Sequence, residues 1–107
     1  GGHFVQGHVD GTVEILDIVP TDDSAVWHFS LPENLQSFLV DKGSICLDGI
    51  SLTIVEKFDN YFTVALIPHT LSVTTWGQKR VNDLVNIEVD IMAKYIKNLM
   101  PKEKNEV

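Results

Sequence analysis

Apolar and polar positions alternate over most of the chain, in short runs separated by turn signals. Thr12 to Val19 is rich in β-branched residues, which suit a pleated, half-buried surface, and Pro20 stops it. Thr21-Asp22-Asp23-Ser24 is a turn-forming cluster. From Ser24 to Leu31, Ala25, Trp27, Phe29 and Leu31 share one face while Val26, His28 and Ser30 share the other. That period of two predicts a half-buried strand. Pro32 suits the first turn of a short helix carrying Leu35, Phe38 and Leu39, which Lys42-Gly43 ends.

Ser44 to Leu47 and Ile50 to Lys57 read as two strands joined by the tight-turn pair Asp48-Gly49. Phe58-Asp59-Asn60 is a further turn, followed by the mostly apolar strand Tyr61 to Ile67, which Pro68 cuts. Leu71 to Trp76 fits a short extended piece or one helical turn, and Gly77 to Asp83 is polar loop. Leu84 to Asp90 alternates again. At Ile91 the period changes. Ile91, Met92, Tyr95, Ile96, Leu99 and Met100 form an apolar stripe at helical spacing, ended by Pro101. The expected fold is all-β: a six-stranded antiparallel barrel over residues 1–90, with a short internal helix, followed over 91–107 by a C-terminal helix and a frayed, charged tail.

Composition narrows the function classes. At 107 residues the chain holds one core. A net charge of −7 argues against nucleic acid and against an anionic membrane, since both demand a basic face. The apolar runs, such as Val64-Ala65-Leu66-Ile67, are too short to span a bilayer. The single cysteine, Cys46, excludes an internal disulfide. With no signal-peptide pattern, a cytoplasmic location is expected, and a cleaved transit peptide leaves an organelle open. The chain starts at Gly1 without Met, which reads as a fragment or a processed form.

Several polar residues carry potential chemistry. His3 and His8 lack a third ligand at useful spacing, so no metal site is expected. His8, beside Gly7, is either a locally bonded turn histidine or a general acid–base group. Ser51 and Thr53 share a strand face, either as a solvent face or as a pair that orients a polar ligand. At Pro68-His69-Thr70 the backbone must leave the sheet, so its freed N–H and C=O groups suit the edge of a heterocycle as well as a plain turn. Asp48 is most simply a turn residue, Asp90 a helix cap and Cys46 a buried thiol.

Four stretches together resemble the second barrel of riboflavin synthase. They are Gly1-Gly2-His3-Phe4-Val5-Gln6-Gly7-His8-Val9-Asp10-Gly11, Lys42 through Thr53, Leu66-Ile67-Pro68-His69-Thr70, and Val85 through Asp90 followed by Lys94-Tyr95. They occur in family order and span nearly the whole chain. The resemblance implies a Greek-key barrel that binds 6,7-dimethyl-8-ribityllumazine. Family members carry two such barrels per chain and form trimers through their terminal helices, and an isolated barrel is open to a dimer. Each active site holds two lumazines between barrels of different subunits. A four-carbon unit passes from one to the other, giving riboflavin and a pyrimidinedione without cofactor or metal.

Carried over residue by residue, the substrate-binding set is Gly7, His8, Val9, Lys42, Ser51, Leu52, Thr53, Ala65, Leu66, Ile67, Pro68, His69, Thr70 and Asp90. Backbone groups near Ile67 and Thr70, with the Thr53 hydroxyl, match the pteridine edge. Ser51, Asp90 and Lys42 face the ribityl hydroxyls. Catalytic roles fall to His8, Ser51 and Thr53, with His8 the candidate for removing a proton from an acidic lumazine methyl. Stacking two substrates in one orientation supplies much of the remaining catalysis. The first-barrel half of the family pattern is absent: its Met-Phe-Thr-Gly opening is missing, and Ser51 stands where that barrel carries Cys. A non-catalytic lumazine- or flavin-binding module is therefore the alternative, although Gly7-His8-Val9-Asp10-Gly11 looks more like the enzymes than the antenna proteins.

Overall fold

The computed structural model describes residues 9–99, apart from the side chains of Ser72, Val73 and Thr75. Six strands run β1 (Gly11–Pro20), β2 (Ala25–Ser30), β3 (Ser44–Leu47), β4 (Ile50–Lys57), β5 (Tyr61–Leu66) and β6 (Leu84–Val89). They close into an antiparallel barrel in the order β1-β2-β5-β4-β3-β6, the Greek-key connection the sequence reading expects. Closure removes the free sheet edges. The internal helix is a 3₁₀ segment, Glu33–Phe38, and the ambiguous stretch resolves into helix α1 (Pro68–Val73) and a 3₁₀ turn, Thr75–Gln78. Strand β5 stops at Leu66, one residue earlier than expected, because Ile67 caps α1 and Pro68 occupies its first turn. Helix α2 spans Ile91–Leu99.

Two bulges bend the strands around the barrel. In β1 the pairing slips between Ile15 and Asp17, and in β4 between Ile54 and Glu56. A bulge adds one residue to one strand, kinks it and increases its twist. Strand β1 accordingly pairs with β6 through Gly11–Glu14 and with β2 beyond Ile15. Strand β4 pairs with β3 through Ile50–Thr53 and with β5 from Ile54 onward. The Thr63 hydroxyl lies at the β4 bulge, is buried, and accepts the Glu56 N–H at 3.1 Å.

The interior is filled by the residues that alternation assigns to it. Trp27, Phe29, Phe62, Val64, Ile45, Leu47, Val85 and Ile87 are all buried. Phe29 is the hub, stacked on Phe62 at 5.3 Å and meeting the Trp76 edge at 5.9 Å. Trp76 also packs edge-on against Trp27 at 5.3 Å, so the 3₁₀ turn after α1 plugs one end of the barrel.

The Asp48-Gly49 hairpin has positive φ at both residues (49° and 82°), the twist that matches right-handed strands. Asp48 does more than turn the chain. Its carboxylate accepts the Asn86 N–H at 2.8 Å and pairs with Lys79 at 2.9 Å, tying the hairpin tip to β6.

Candidate functional site

Strands β4 and β5 are paired only as far as Ile54↔Val64. Beyond that point Ser51, Leu52 and Thr53 pair with Cys46, Ile45 and Ser44 of β3. Ala65 and Leu66 pair with Val26 and Ala25 of β2. The Val55 bulge causes this division, because it turns the first half of β4 toward β3. A seam thus opens between Ser51–Thr53 on one side and Ala65–Thr70 on the other. Nine of the residues expected from sequence to bind a ligand, among them Ser51 and Thr53 expected to act on it, lie in these two stretches. No β4–β5 pairing is formed there.

The two lips differ in character. On the β4 lip the Ser51 and Thr53 side chains are exposed, while Leu52 packs partly against the core. On the other lip Ala65, Ile67, Pro68 and His69 are exposed, whereas Leu66 is a core residue and offers a ligand its backbone alone. The Ile67 carbonyl accepts the Leu71 N–H at 3.2 Å, and the Thr70 carbonyl accepts the Thr74 hydroxyl at 2.7 Å. These two carbonyls are therefore engaged within the lip. The Thr70 N–H, in the first turn of α1, has no intrahelical acceptor and remains as a donor. Thr74 also accepts the Trp76 N–H at 3.2 Å, so a hydroxyl and a buried indole together hold α1 against the barrel end. Sequence reading left Leu71 to Trp76 undecided and missed this support; the Thr-x-Trp spacing is its visible trace.

Lys42 sits beside the β4 lip. Its N–H donates to the Ile54 carbonyl at 2.8 Å, and its φ of 66° is a conformation that a lysine adopts at a cost of about 1 kcal/mol. Such strain, held by a fixed backbone bond, is a common mark of functional positions. Asp90 lies immediately past β6. Its Oδ1 accepts the Met92 N–H at 3.0 Å, the capping geometry expected from the sequence, which leaves its other oxygen for a ligand. Val9 is exposed, while Gly7 and His8 lie outside the described residues.

A cavity of about 380 Å³ adjoins the second lip from the β2 side, between Pro68, Leu71 and the Thr21–Ser24 turn. It shares Leu66 and Pro68 with the expected set, but Ser51, Thr53, Lys42 and Asp90 do not border it. Cys46, between β4 and β6, has its thiol pKa raised by burial first and by the Glu88 charge second. Among the described residues no three His, Cys, Asp or Glu side chains converge as metal ligands do. No helix among them is long and apolar enough to cross a membrane.

A closed six-stranded barrel in which β4 and β5 pair only as far as Ile54↔Val64, with exposed hydroxyls on β4, is the architecture of a small antiparallel barrel domain. The chain belongs to the lumazine-binding domain family, whose model matches residues 6–90. It is 44% identical over 103 residues to the riboflavin synthase of Actinobacillus pleuropneumoniae, covering 96% of this chain and 48% of that protein. It is 43% identical over 102 residues to the Bacillus subtilis riboflavin synthase, covering 95% and 47%. The chain thus spans about half the length of the curated relatives it matches. In fold it is similar to LumP complexed with flavin mononucleotide, with a TM-score of 0.75 at 20% identity over 80% of this chain and 49% of that one. LumP complexed with 6,7-dimethyl-8-(1'-D-ribityl) lumazine superposes at 0.70, with 23% identity over 77% and 46%.

Proposed function

We propose that this barrel binds 6,7-dimethyl-8-ribityllumazine at the β4–β5 seam and supplies one half of a riboflavin synthase active site. The observation that carries the reading is the seam itself. Ser51 and Thr53 of β4 and the Ala65–Thr70 segment, remote in sequence, follow on from the last β4–β5 pair, and the reading sets a flat heterocycle between them. Thr53 and the Thr70 N–H meet the pteridine edge, and Ile67 covers its face. Lys42, Ser51 and Asp90 take the ribityl hydroxyls. His8 removes the proton from the acidic methyl of a bound lumazine, and Ser51 and Thr53 hold the reacting ring. Two lumazines stacked between facing barrels then exchange a four-carbon unit, yielding riboflavin and a pyrimidinedione, with orientation lowering the barrier.

Helix α2 supports assembly. Its stripe is unburied by its own barrel: Ile91 is 76% and Leu99 68% exposed, with Met92, Tyr95 and Ile96 exposed between them. The described contact of α2 with the 3₁₀ segment places Lys97 Nζ 5.8 Å from the Phe38 ring centroid. The stripe is the surface through which copies associate, as a trimer for a two-barrel chain or a dimer for this barrel alone.

Time-resolved absorbance and fluorescence during titration with 6,7-dimethyl-8-ribityllumazine test the function. A saturable change that develops into the riboflavin spectrum supports binding and turnover together. A saturable change that stays constant supports the binding module and removes turnover by this chain alone. No saturable change overturns the reading.

A further inference from the structure

Helix α1 carries the end of the second lip, and its own sequence does little to hold it in place. It has six residues, and its N-cap, Ile67, makes no side-chain hydrogen bond. A helix so short is marginal by itself, because nucleation costs more than one or two turns return. Its position is therefore set from outside.

The support comes from the 3₁₀ turn behind it. Trp76 is buried, edge-on to Trp27 at 5.3 Å and to Phe29 at 5.9 Å. Its indole Nε1 has no hydrogen-bond partner among the described residues, so packing and backbone bonds place it. The Trp76 N–H donates to Thr74 Oγ1 at 3.2 Å, and that hydroxyl donates to the Thr70 carbonyl at 2.7 Å. The Leu71 N–H donates to the Ile67 carbonyl at 3.2 Å. The Thr70 carbonyl and the Leu71 N–H belong to one planar peptide unit. That unit is thus held at both ends, and the Thr74 hydroxyl links it to the barrel core. Gly77 keeps the same two elements close, since a Cβ there would lie 2.7 Å from the Leu71 carbonyl oxygen.

We propose that Thr74 is a positioning residue for the ligand site. Its hydroxyl transmits the fixed place of Trp76 to the Thr70–Leu71 peptide, and so sets how the Ile67–Thr70 lip meets the ligand ring. The inference rests on the lumazine-binding reading and deepens it, since neither Thr74 nor Trp76 is among the motif residues. A threonine hydroxyl fits the task because it donates and accepts at once. With the Thr70 carbonyl occupied, the lip offers the Thr70 N–H as its donor, which selects a carbonyl or ring nitrogen on the ligand edge.

Two substitutions separate this role from plain packing. Thr74→Val keeps the side-chain volume and loses both bonds, whereas Thr74→Ser keeps both bonds and loses a methyl group. In fluorescence titration with 6,7-dimethyl-8-ribityllumazine, Thr74→Val is expected to weaken binding about 3- to 10-fold, the scale of one hydrogen bond, and Thr74→Ser to stay within about 2-fold of the unaltered chain. Circular dichroism on the same samples checks that each variant is folded at the titration temperature. Hydrogen exchange of the unaltered chain gives a readout free of mutation: saturating lumazine should slow exchange of the Trp76 N–H at least several-fold. If Thr74→Val does not fold, the exchange measurement alone decides. The reverse order, with Thr74→Val unchanged and Thr74→Ser weakened, assigns Thr74 to packing and overturns the proposal. Equal affinity of all three proteins, or exchange at Trp76 that ignores the ligand, overturns it as well and leaves the seam as the binding site. Failure of the unaltered chain to bind the lumazine overturns the functional reading, and this one with it.

Discussion

The Asp10 carboxylate lies 2.7 Å from Lys94 Nζ through one oxygen and accepts the Val89 N–H at 2.8 Å through the other. One side chain thus joins the entrance of β1, the end of β6 and the first turns of α2. It also fixes the point from which Asp90 projects. The ion pair is partly exposed and contributes little alone, whereas the buried-side N–H depends on Asp10 entirely.

Asp10→Ala should therefore cost about 1–3 kcal/mol, the penalty for leaving that N–H unpaired. Lys94→Ala should cost only about 0.2–1 kcal/mol. Urea denaturation of the two variants checks the order. Equal losses would show that the ion pair, and not the backbone bond, carries the contact.

Two glycines separate stability from site geometry. At Gly49 a Cβ meets nothing within 4 Å, but φ is +82°, so Gly49→Ala should cost about 1–2 kcal/mol through backbone strain alone. At Gly77 a Cβ would lie 2.7 Å from the Leu71 carbonyl oxygen, so α1 must shift. Gly77→Ala is expected to weaken lumazine binding at least several-fold, and Gly49→Ala to lower stability with affinity preserved. Calorimetry and titration on the same samples distinguish the two effects.

Cys46 gives a pH signature. Its folded thiol ionises above the ordinary 9.0, because burial and Glu88 disfavour the thiolate. The unfolded chain releases this proton first, so its contribution to stability is intact below 9.0 and declines as pH rises past it. Denaturation midpoints of the chain and of Cys46→Ser should diverge only above pH 9.0. A constant difference from neutral pH upward would remove the thiol from the effect.

A chain ending at Asp90 should sediment as a monomer, while the full chain associates. Loss of the helix removes the exposed stripe without touching the barrel core, since none of its residues is buried. Equal association states would exclude α2 from assembly.

Much of the barrel was legible in the sequence because period-two alternation records burial directly. Trp27 and Phe29 point inward, and the Asp48-Gly49 pair admits few turns other than the observed one. The motif residues of the proposed site stand in the sequence as separate stretches. Their proposed common location was not legible there, since Ser51 and Ile67 have no local relation to each other.

The sequence by itself determined the strands, their inward faces, the helical stripe after Asp90 and the family to which the chain belongs. All of these follow from short-range periodicity or contiguous motifs. Only the tertiary structure decided where β4 leaves β5, that Thr74 and Trp76 brace α1, and that Ser51, Cys46 and Glu88 stand in line across β4, β3 and β6. Those relationships depend on a bulge and on register. A shift of one residue in either exchanges the two faces of a strand, and no local sequence signal records which register closes the barrel.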